Sequence, residues 1–172
     1  MKKKITNPER SRLDQAGSGM IVSVNISVRK GTVKTPVPEI ELVSGLGVRG
    51  DAHASPGDRQ ISLLMKESID RAREAQKPGT AKKVTKKPVE LSAGSFAENL
   101  TTQGIDLLSL KPGDTLTLSK GPRLRVTRIG KECPRPCAIY YQLGDCLMPS
   151  QGIFCEVLAG GRVRPGDKIG QD

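Results

Sequence analysis

The sequence is poor in aromatic residues: its 172 positions include no Trp, two Tyr and two Phe. The hydrophobic core must therefore be built from Val, Ile and Leu, which favours a β-rich domain. The same scarcity argues against a protein that binds nucleic acid by stacking bases on aromatic side chains. The length is sufficient for one domain with a substantial core.

Long apolar segments are also missing. No run approaches the roughly 18–20 apolar residues that span a bilayer. The N-terminal lysines are not followed by the apolar segment of a secretory signal. The sequence therefore predicts a soluble, cytoplasmic protein with no membrane partner, in which four cysteines favour reduced, catalytic or metal-binding thiols over disulfides.

Positive charge is abundant, with a formal net charge of +10 at pH 7. This predicts anionic partners, such as a phosphate-bearing cofactor or an acidic protein. The lysines at 2–4 and in the run 82–87 would equally serve solubility. Residues 1–19 lack hydrophobic periodicity and are predicted to form a flexible basic tail before a single domain at 20–172. Residues 77–88 are predicted to form a basic, exposed loop.

Short β-branched and alternating segments indicate many strands separated by turns. One helix is predicted at 67–76, where Ile69 and Ala72 have helical spacing and Pro78 stops the pattern. Together these patterns predict a mostly β fold, a β-barrel with a few helices. The predicted strands lie at 20–28, 39–43, 60–65, 116–118, 124–129 and 153–158.

The segment around Cys133 and Cys137 carries the strongest chemical signal. Lys131 and Arg135 stand beside these two thiols, and nearby cations favour the thiolate, which is both nucleophile and metal ligand. We therefore predict Cys133 and Cys137 as catalytic residues. A zinc site built from all four cysteines fits poorly, because their spacing lacks the usual closely spaced pairs.

The other two cysteines are weaker candidates. Cys155 lies in an apolar strand pattern and is interpreted as a small core residue. Cys146 follows Gly-Asp and has no clear assignment.

Two polar positions precede the predicted strand at 60–65. His53, the single histidine, lies in a glycine-rich loop where Asp51 could orient it, although such a histidine is often only a surface residue. Arg59 is suited to bind an anion in a bidentate way. The alternative for Arg59 is an ion pair with Asp51 or Asp58.

Glu98 and Asn99 lie between Phe96 and Leu100, so a carboxylate and an amide stand inside an apolar frame. Buried polar groups need hydrogen-bond partners. The side chain of Asn99 would be satisfied either by the backbone, as a structural brace, or by a polar ligand.

Together these motifs resemble the MOSC domain, named for the C-terminal part of molybdenum cofactor sulfurases, and in particular its small stand-alone bacterial members. The resemblance runs in the family's order from about residue 20 to 170. Among the matching segments are 27–31, 47–53, 59–63, 96–102, 104–107, 130–133, 137–139, 144–149, 152–154 and 165–167.

The resemblance implies a β-barrel that binds molybdenum cofactor (molybdopterin) or carries sulfur as a cysteine persulfide. It implies that Cys137 ligates molybdenum or carries the sulfur. It also implies a cofactor-binding set to which we assign Arg29, Lys30, His53, Arg59, Glu98 and Asn99. Pro134 stands where many relatives have a histidine, so a role of that histidine is not carried over.

The full sulfurases also have a pyridoxal-phosphate desulfurase domain, for which this chain is too short. Sulfur would then come from a partner such as a cysteine desulfurase and pass to molybdoenzymes or cofactor-biosynthesis proteins. Two alternatives are a small molybdenum-dependent reductase of N-hydroxylated compounds and a structural metal-binding or nucleic-acid-binding β domain.

Overall fold

A computed structural model describes residues 17–75, 90–133, 138–143 and 145–172. Most of the predicted tail, the basic loop at 77–88 and Cys137 lie outside the described residues. Within the described ranges, no helix is both long and apolar enough to cross a membrane.

Strands dominate the described residues, with a few short helices between them. The strands are β1 Ser18–Ile26, β2 Thr35–Val37, β3 Ile40–Val43, β4 Gly47–Val48, β5 Ile61–Met65, β6 Leu100–Gln103, β7 Thr115–Leu118, β8 Arg123–Ile129, β9 Ile153–Ala159, β10 Gly161–Val163 and β11 Lys168–Gln171. The helices are α1 Lys66–Ala75, α2 Ala138–Leu143 and α3 Met148–Gln151, with a short 3-10 helix at Leu107–Ser109.

Seven strands close into a barrel, which confirms the predicted fold class. Their order is β11-β7-β8-β9-β5-β6-β1, and β1 pairs with β11 to complete the ring. The β5–β6 pair is parallel and the other neighbours are antiparallel. β2 adds to the edge of β1, and a separate small sheet has the order β10-β3-β4.

The barrel interior is aliphatic, as the composition predicts. Its buried cluster contains Val, Ile, Leu and Met side chains together with Cys155 from β9. Alternating burial in β7 and β8 shows that one face of each strand supplies this core.

β5 departs from this alternation because all five of its residues are buried. A second cluster, with Leu64 of β5, Ile69 of α1 and both phenylalanines, covers its outer face. The scarce aromatic residues are thus concentrated outside the barrel, where the helices pack against it.

The helical prediction is confirmed for α1, which begins one residue early; Gln76 lies outside the described residues. α2 and α3 were not predicted. They have six and four residues, and helices this short depend on tertiary packing. Ile139 of α2 and Met148 of α3 provide it by joining the second cluster.

Candidate functional site

A cavity of about 280 Å³ lies on the outer face of the barrel wall. Ser62 of β5 and Phe154 of β9 face each other in register there. Their neighbours Ile61 and Cys155 point into the barrel core, so the pleat directs Ser62 and Phe154 outward. The described lining residues are Lys30, Lys34, His53, Ser55, Arg59, Ser62, Phe96, Ala97, Asn99, Lys131, Met148 and Phe154.

The cavity combines an apolar floor with a cationic rim. Phe96, Met148 and Phe154 are buried in the second cluster. Lys30 and Arg59 are exposed, and the described lining residues include no acidic side chain. Such a site favours an anionic ligand that also has an apolar or flat part.

One of the four lining cations is buried. The side chain of Lys34 is 1 % exposed, and its Nζ lies 2.5 Å from Oδ2 of Asp51, whose side chain is 2 % exposed. Ion pairs removed from water need further hydrogen bonds to be tolerated. Asp51 has them, because its Oδ2 accepts from Ser27 N at 3.0 Å and its Oδ1 from His53 N at 2.9 Å.

The pKa of Asp51 is set by two opposing effects. Burial raises it, but the ion pair with Lys34 and the backbone N–H groups of His53 and Ser27 prevail and hold the pKa well below its usual range. Burial lowers the pKa of Lys34, and the hydrogen bond and charge of Asp51 oppose that shift. Asp51 therefore stays negatively charged within this buried pair.

His53 connects the buried pair to the cavity. Its Nδ1 lies 3.3 Å from Lys34 Nζ and 3.3 Å from Asp51 Oδ1. The side chain is 38 % exposed and lines the cavity. Asp51 holds the backbone of His53 through the N–H bond to Oδ1, and Nδ1 of the ring lies against both members of the buried pair.

Asn99 is a structural brace in this structure. Its Oδ1 accepts from the backbone N and Oγ of Ser62 at 3.2 and 3.1 Å. Its Nδ2 donates to Asn25 O at 3.2 Å and to Asp51 Oδ2 at 3.3 Å. The side chain thereby ties the cavity wall to the Lys34–Asp51 pair.

Glu98 lies behind the cavity wall and holds its loop. The buried carboxylate accepts from Gly94 N at 2.6 Å, Phe96 N at 3.2 Å and Thr101 Oγ1 at 2.8 Å. Burial raises its pKa, against these hydrogen bonds. Glu98 thus shapes the loop that carries the lining residues Phe96 and Ala97.

Ala97 has a positive φ of 64°, a conformation that costs a residue with a side chain about 1–2 kcal/mol. Two hydrogen bonds stabilise this conformation. Ala97 N donates to Gly94 O at 2.9 Å, and Ala97 O accepts from Ser62 Oγ at 3.4 Å. The loop is therefore constrained where it borders the cavity.

Four of the predicted site residues line this one cavity: Lys30, His53, Arg59 and Asn99. Arg29 is exposed in the turn beside it and is not a described lining residue. Arg59 has Asp58 as an ion partner at 3.8 Å, one of the two alternatives considered. Their roles in binding stay predictions.

Two lining cations were missed by the sequence analysis. Lys131 was noted only as a neighbour of the thiols. Lys34, in a Thr-Val-Lys-Thr-Pro stretch, gives no local sign that it is buried. Only its long-range pairing with Asp51 reveals it.

The described cysteines lie in three different environments. Cys133 is exposed, Cys146 is half-buried and packs against the second cluster, and Cys155 is buried in β9, as its pattern predicted. In the part of the chain that the structure describes, no group of three or more His, Cys, Asp or Glu side chains is placed to hold a metal ion.

Comparisons with solved structures identify the same fold. The YuaD protein from Bacillus subtilis superposes with a TM-score of 0.66 at 21 % identity, covering 90 % of this chain and 95 % of that one. YiiM from Geobacillus stearothermophilus superposes with a TM-score of 0.63 at 21 % identity. The match covers 90 % of this chain and 75 % of that one. YiiM from Escherichia coli superposes with a TM-score of 0.62 at 20 % identity. The match covers 90 % of this chain and 69 % of that one.

No curated protein matches the sequence significantly. Residues 49–170, which include most of the barrel strands and much of the cavity wall, match the sequence model of the MOSC domain. This match spans more than half of the chain, so the protein belongs to the MOSC domain family.

Proposed function

We propose that this MOSC protein binds molybdenum cofactor, or a sulfur-modified form of it, in the cavity on the outer face of the barrel. The observation that carries the proposal is the pairing of a cationic rim with an apolar floor. Lys30, Arg59 and Lys131 would hold the phosphate, and Phe96 and Phe154 would contact the flat pterin.

The residues present fit such a group. Several cations around one opening suit a phosphate, since Arg binds it in a bidentate way and Lys as a point charge. The cavity volume of about 280 Å³ lies just below the roughly 300–1,000 Å³ of typical ligand sites. A larger ligand would therefore extend beyond its mouth.

Cys137 completes the proposal as the molybdenum ligand or the carrier of a persulfide. It follows Lys131 by six positions in the sequence. Molybdenum would supply the redox or sulfur chemistry, while this chain's residues bind and orient the cofactor. In the carrier version a cysteine desulfurase supplies the sulfur and a molybdoenzyme or cofactor-biosynthesis protein receives it.

The test is the cofactor content of protein purified from a molybdenum-replete host. We expect molybdenum and an oxidised pterin fluorophore in comparable amounts, or one additional sulfur atom on Cys137 by mass spectrometry. Cys137→Ser should lose the molybdenum or the sulfur. Cys155→Ala, which removes a thiol that points into the barrel core, is its control.

A second pair of variants tests the cavity. Arg59→Ser should lower the pterin content, because it removes a rim cation. Lys111→Ser removes an exposed cation that does not line the cavity and should leave the content unchanged. Protein with neither molybdenum, pterin nor added sulfur would contradict the proposal, as would equal losses in the two variants.

A further inference from the structure

The ammonium group of Lys34 has three protons to place with almost no contact with solvent, because its side chain is 1 % exposed. It finds three acceptors: Asp51 Oδ2 at 2.5 Å, His53 Nδ1 at 3.3 Å and Ser27 Oγ at 3.5 Å. Ser27 Oγ gives its own proton to Arg29 O at 3.1 Å, which leaves its lone pairs free to accept. Each proton of the ammonium is therefore matched to one acceptor.

This match requires Nδ1 of His53 to be unprotonated. An ammonium can only donate, and the neutral imidazole carries one proton on one of its two nitrogens. If Nδ1 carried it, an N–H would face the Lys34 ammonium and one buried ammonium proton would lose its acceptor. An unsatisfied buried donor on a charged group is among the costliest polar defects.

The opposite tautomer has one supporting contact, the 3.3 Å separation between His53 Nδ1 and Asp51 Oδ1. That oxygen already accepts the backbone N–H of His53 at 2.9 Å. Both oxygens of Asp51 therefore keep other donors in either tautomer, whereas Lys34 would lose an acceptor. The balance of partners favours Nδ1 as the acceptor.

We infer that Lys34 holds His53 in one neutral tautomer with its proton on Nε2, so that His53 presents a hydrogen-bond donor to the cavity. Lys34 is then a positioning residue and His53 a specificity-determining one. The site would select a ligand that places an acceptor, such as a phosphate or carboxylate oxygen, against His53. The ligand part of this inference rests on the proposed function; the tautomer does not.

The geometry of the ring supports this role. Nδ1 faces the buried pair, so Nε2 lies on the other side of the ring, and the side chain is 38 % exposed at the cavity. The cations Lys30, Arg59 and Lys131 line the same cavity. They attract an anion from any direction, whereas a fixed N–H determines where its acceptor atom must lie.

His53 is the only histidine of the chain, so its imidazole signals need no assignment once any purification tag is removed. We would record long-range 1H–15N correlation spectra of the full-length protein at neutral pH. The expected result is a protonated Nε2 and an unprotonated Nδ1. A proton on Nδ1, protons on both nitrogens, or shifts averaged between the two tautomers would each overturn the inference.

Variants separate the contact of Lys34 from its charge. Lys34→Met should move the major tautomer to Nδ1–H, which can then bond to Asp51 Oδ1. Lys131→Met also removes a cavity cation, one whose charge acts on Lys34, and should leave the tautomer unchanged. An equal change of tautomer in both variants would overturn the positioning role of Lys34. If Lys34→Met does not fold, the tautomer in the wild-type spectrum still tests the inference.

Inorganic phosphate probes the donor role. Its titration should shift the Nε2–H signal, and His53→Phe should weaken phosphate binding about tenfold, the value of one hydrogen bond to a charged group. An imidazole signal that stays fixed up to saturating phosphate would overturn the donor role. Neither measurement uses the loaded protein, so a failure here is distinct from an absence of molybdenum and pterin.

Discussion

At the scale of single residues, the MOSC protein places its ionisable groups in sharply different surroundings. Cys155 is fully buried in the barrel, where burial, followed by the nearby charge of Glu156, raises the pKa of its thiol. Cys133 is exposed. Thiol reactivity follows the thiolate population and access to solvent, so these cysteines should differ strongly in their chemistry.

Alkylation at neutral pH with peptide mapping tests this difference. Cys155 should remain unmodified until the protein is denatured. We predict that Cys137 reacts fastest, because Lys131 and Arg135 lie beside it in the sequence and favour its thiolate. Faster labelling of Cys146 or Cys155 than of Cys137 would contradict this assignment.

Asp51 should make the stability of the protein depend on pH in the acid range. Its pKa in the folded protein is held below the ordinary value of 3.8. The stabilisation is complete above pH about 4 and is lost as the pH falls further, because only the unfolded chain then takes up the proton. Urea unfolding between pH 4.5 and 2.5 should show this loss.

Two variants define the Asp51 effect. Asp51→Asn should lower the free energy of unfolding by about 3–5 kcal/mol at pH 7, since it leaves Lys34 buried without its counter-charge. It should also flatten the slope of this free energy against pH between pH 4.5 and 2.5. Asp58→Asn, at a half-exposed carboxylate, should keep the slope. Glu98 does not contribute to the slope below pH 4.5. Because its pKa is raised, it makes the protein less stable as the pH rises above that value. Parallel slopes for the wild type and Asp51→Asn would contradict the assignment.

At the scale of structural elements, the loop before β6 builds the cavity wall against the segment before β2. Gly94 has a φ of +85°, and a Cβ there would lie 2.1 Å from Lys34 O. Its carbonyl accepts from Lys34 N at 2.9 Å, and its N–H donates to Glu98 at 2.6 Å. A glycine is therefore needed to bring the two segments together.

Gly94→Ala should destabilise the protein by about 2–5 kcal/mol, because the strain of a positive φ adds to a clash with backbone. Gly45→Ala is the matched control: its φ is +71° and a Cβ at this position would have no heavy atom within 4 Å. It should cost only the conformational part, about 1–2 kcal/mol. Equal losses in chemical denaturation would show that the close approach at Gly94 is unimportant.

At the scale of the whole molecule, the barrel closes where the two ends of the domain meet. β1 pairs with β11 through Ser18, Gly19 and Met20, and with β6 from Met20 onward. A Cβ at Gly19 would lie 2.3 Å from Gln103 O and 2.7 Å from Ile105 N. At this β1–β11 seam, β1 must therefore also pass close to the backbone at the end of β6.

Gly19→Ala should weaken this closure and lower the free energy of unfolding by about 1–3 kcal/mol, the usual cost of overpacking. Gly170→Ala changes the facing strand of the same seam, where a Cβ meets its nearest atom at 3.5 Å, and should be nearly neutral. Hydrogen exchange should show faster opening of β1 and β11 in the first variant only. Equal stability of both variants would contradict this view of the seam.

Local patterns were sufficient for much of the fold. Short apolar or β-branched segments marked β1, β5, β8 and β9 to within two residues at every boundary, and helical spacing marked α1. These patterns report which side chains face an apolar interior. β4 was missed because Gly47 and Val48 form a strand only by pairing with Val43 and Leu42, and a two-residue strand has no pattern of its own.

The sequence by itself determined the family, the aliphatic core, the concentration of thiols and cations, and the choice of His53, Arg59 and Asn99 as site candidates. The tertiary structure decided how these residues are used. Asn99 bonds to Asp51 across 48 positions and Lys34 to Asp51 across 17. Burial and hydrogen-bond satisfaction depend on such distant partners, which local periodicity cannot encode. The buried lysine at the cavity wall is therefore a product of barrel closure and loop packing.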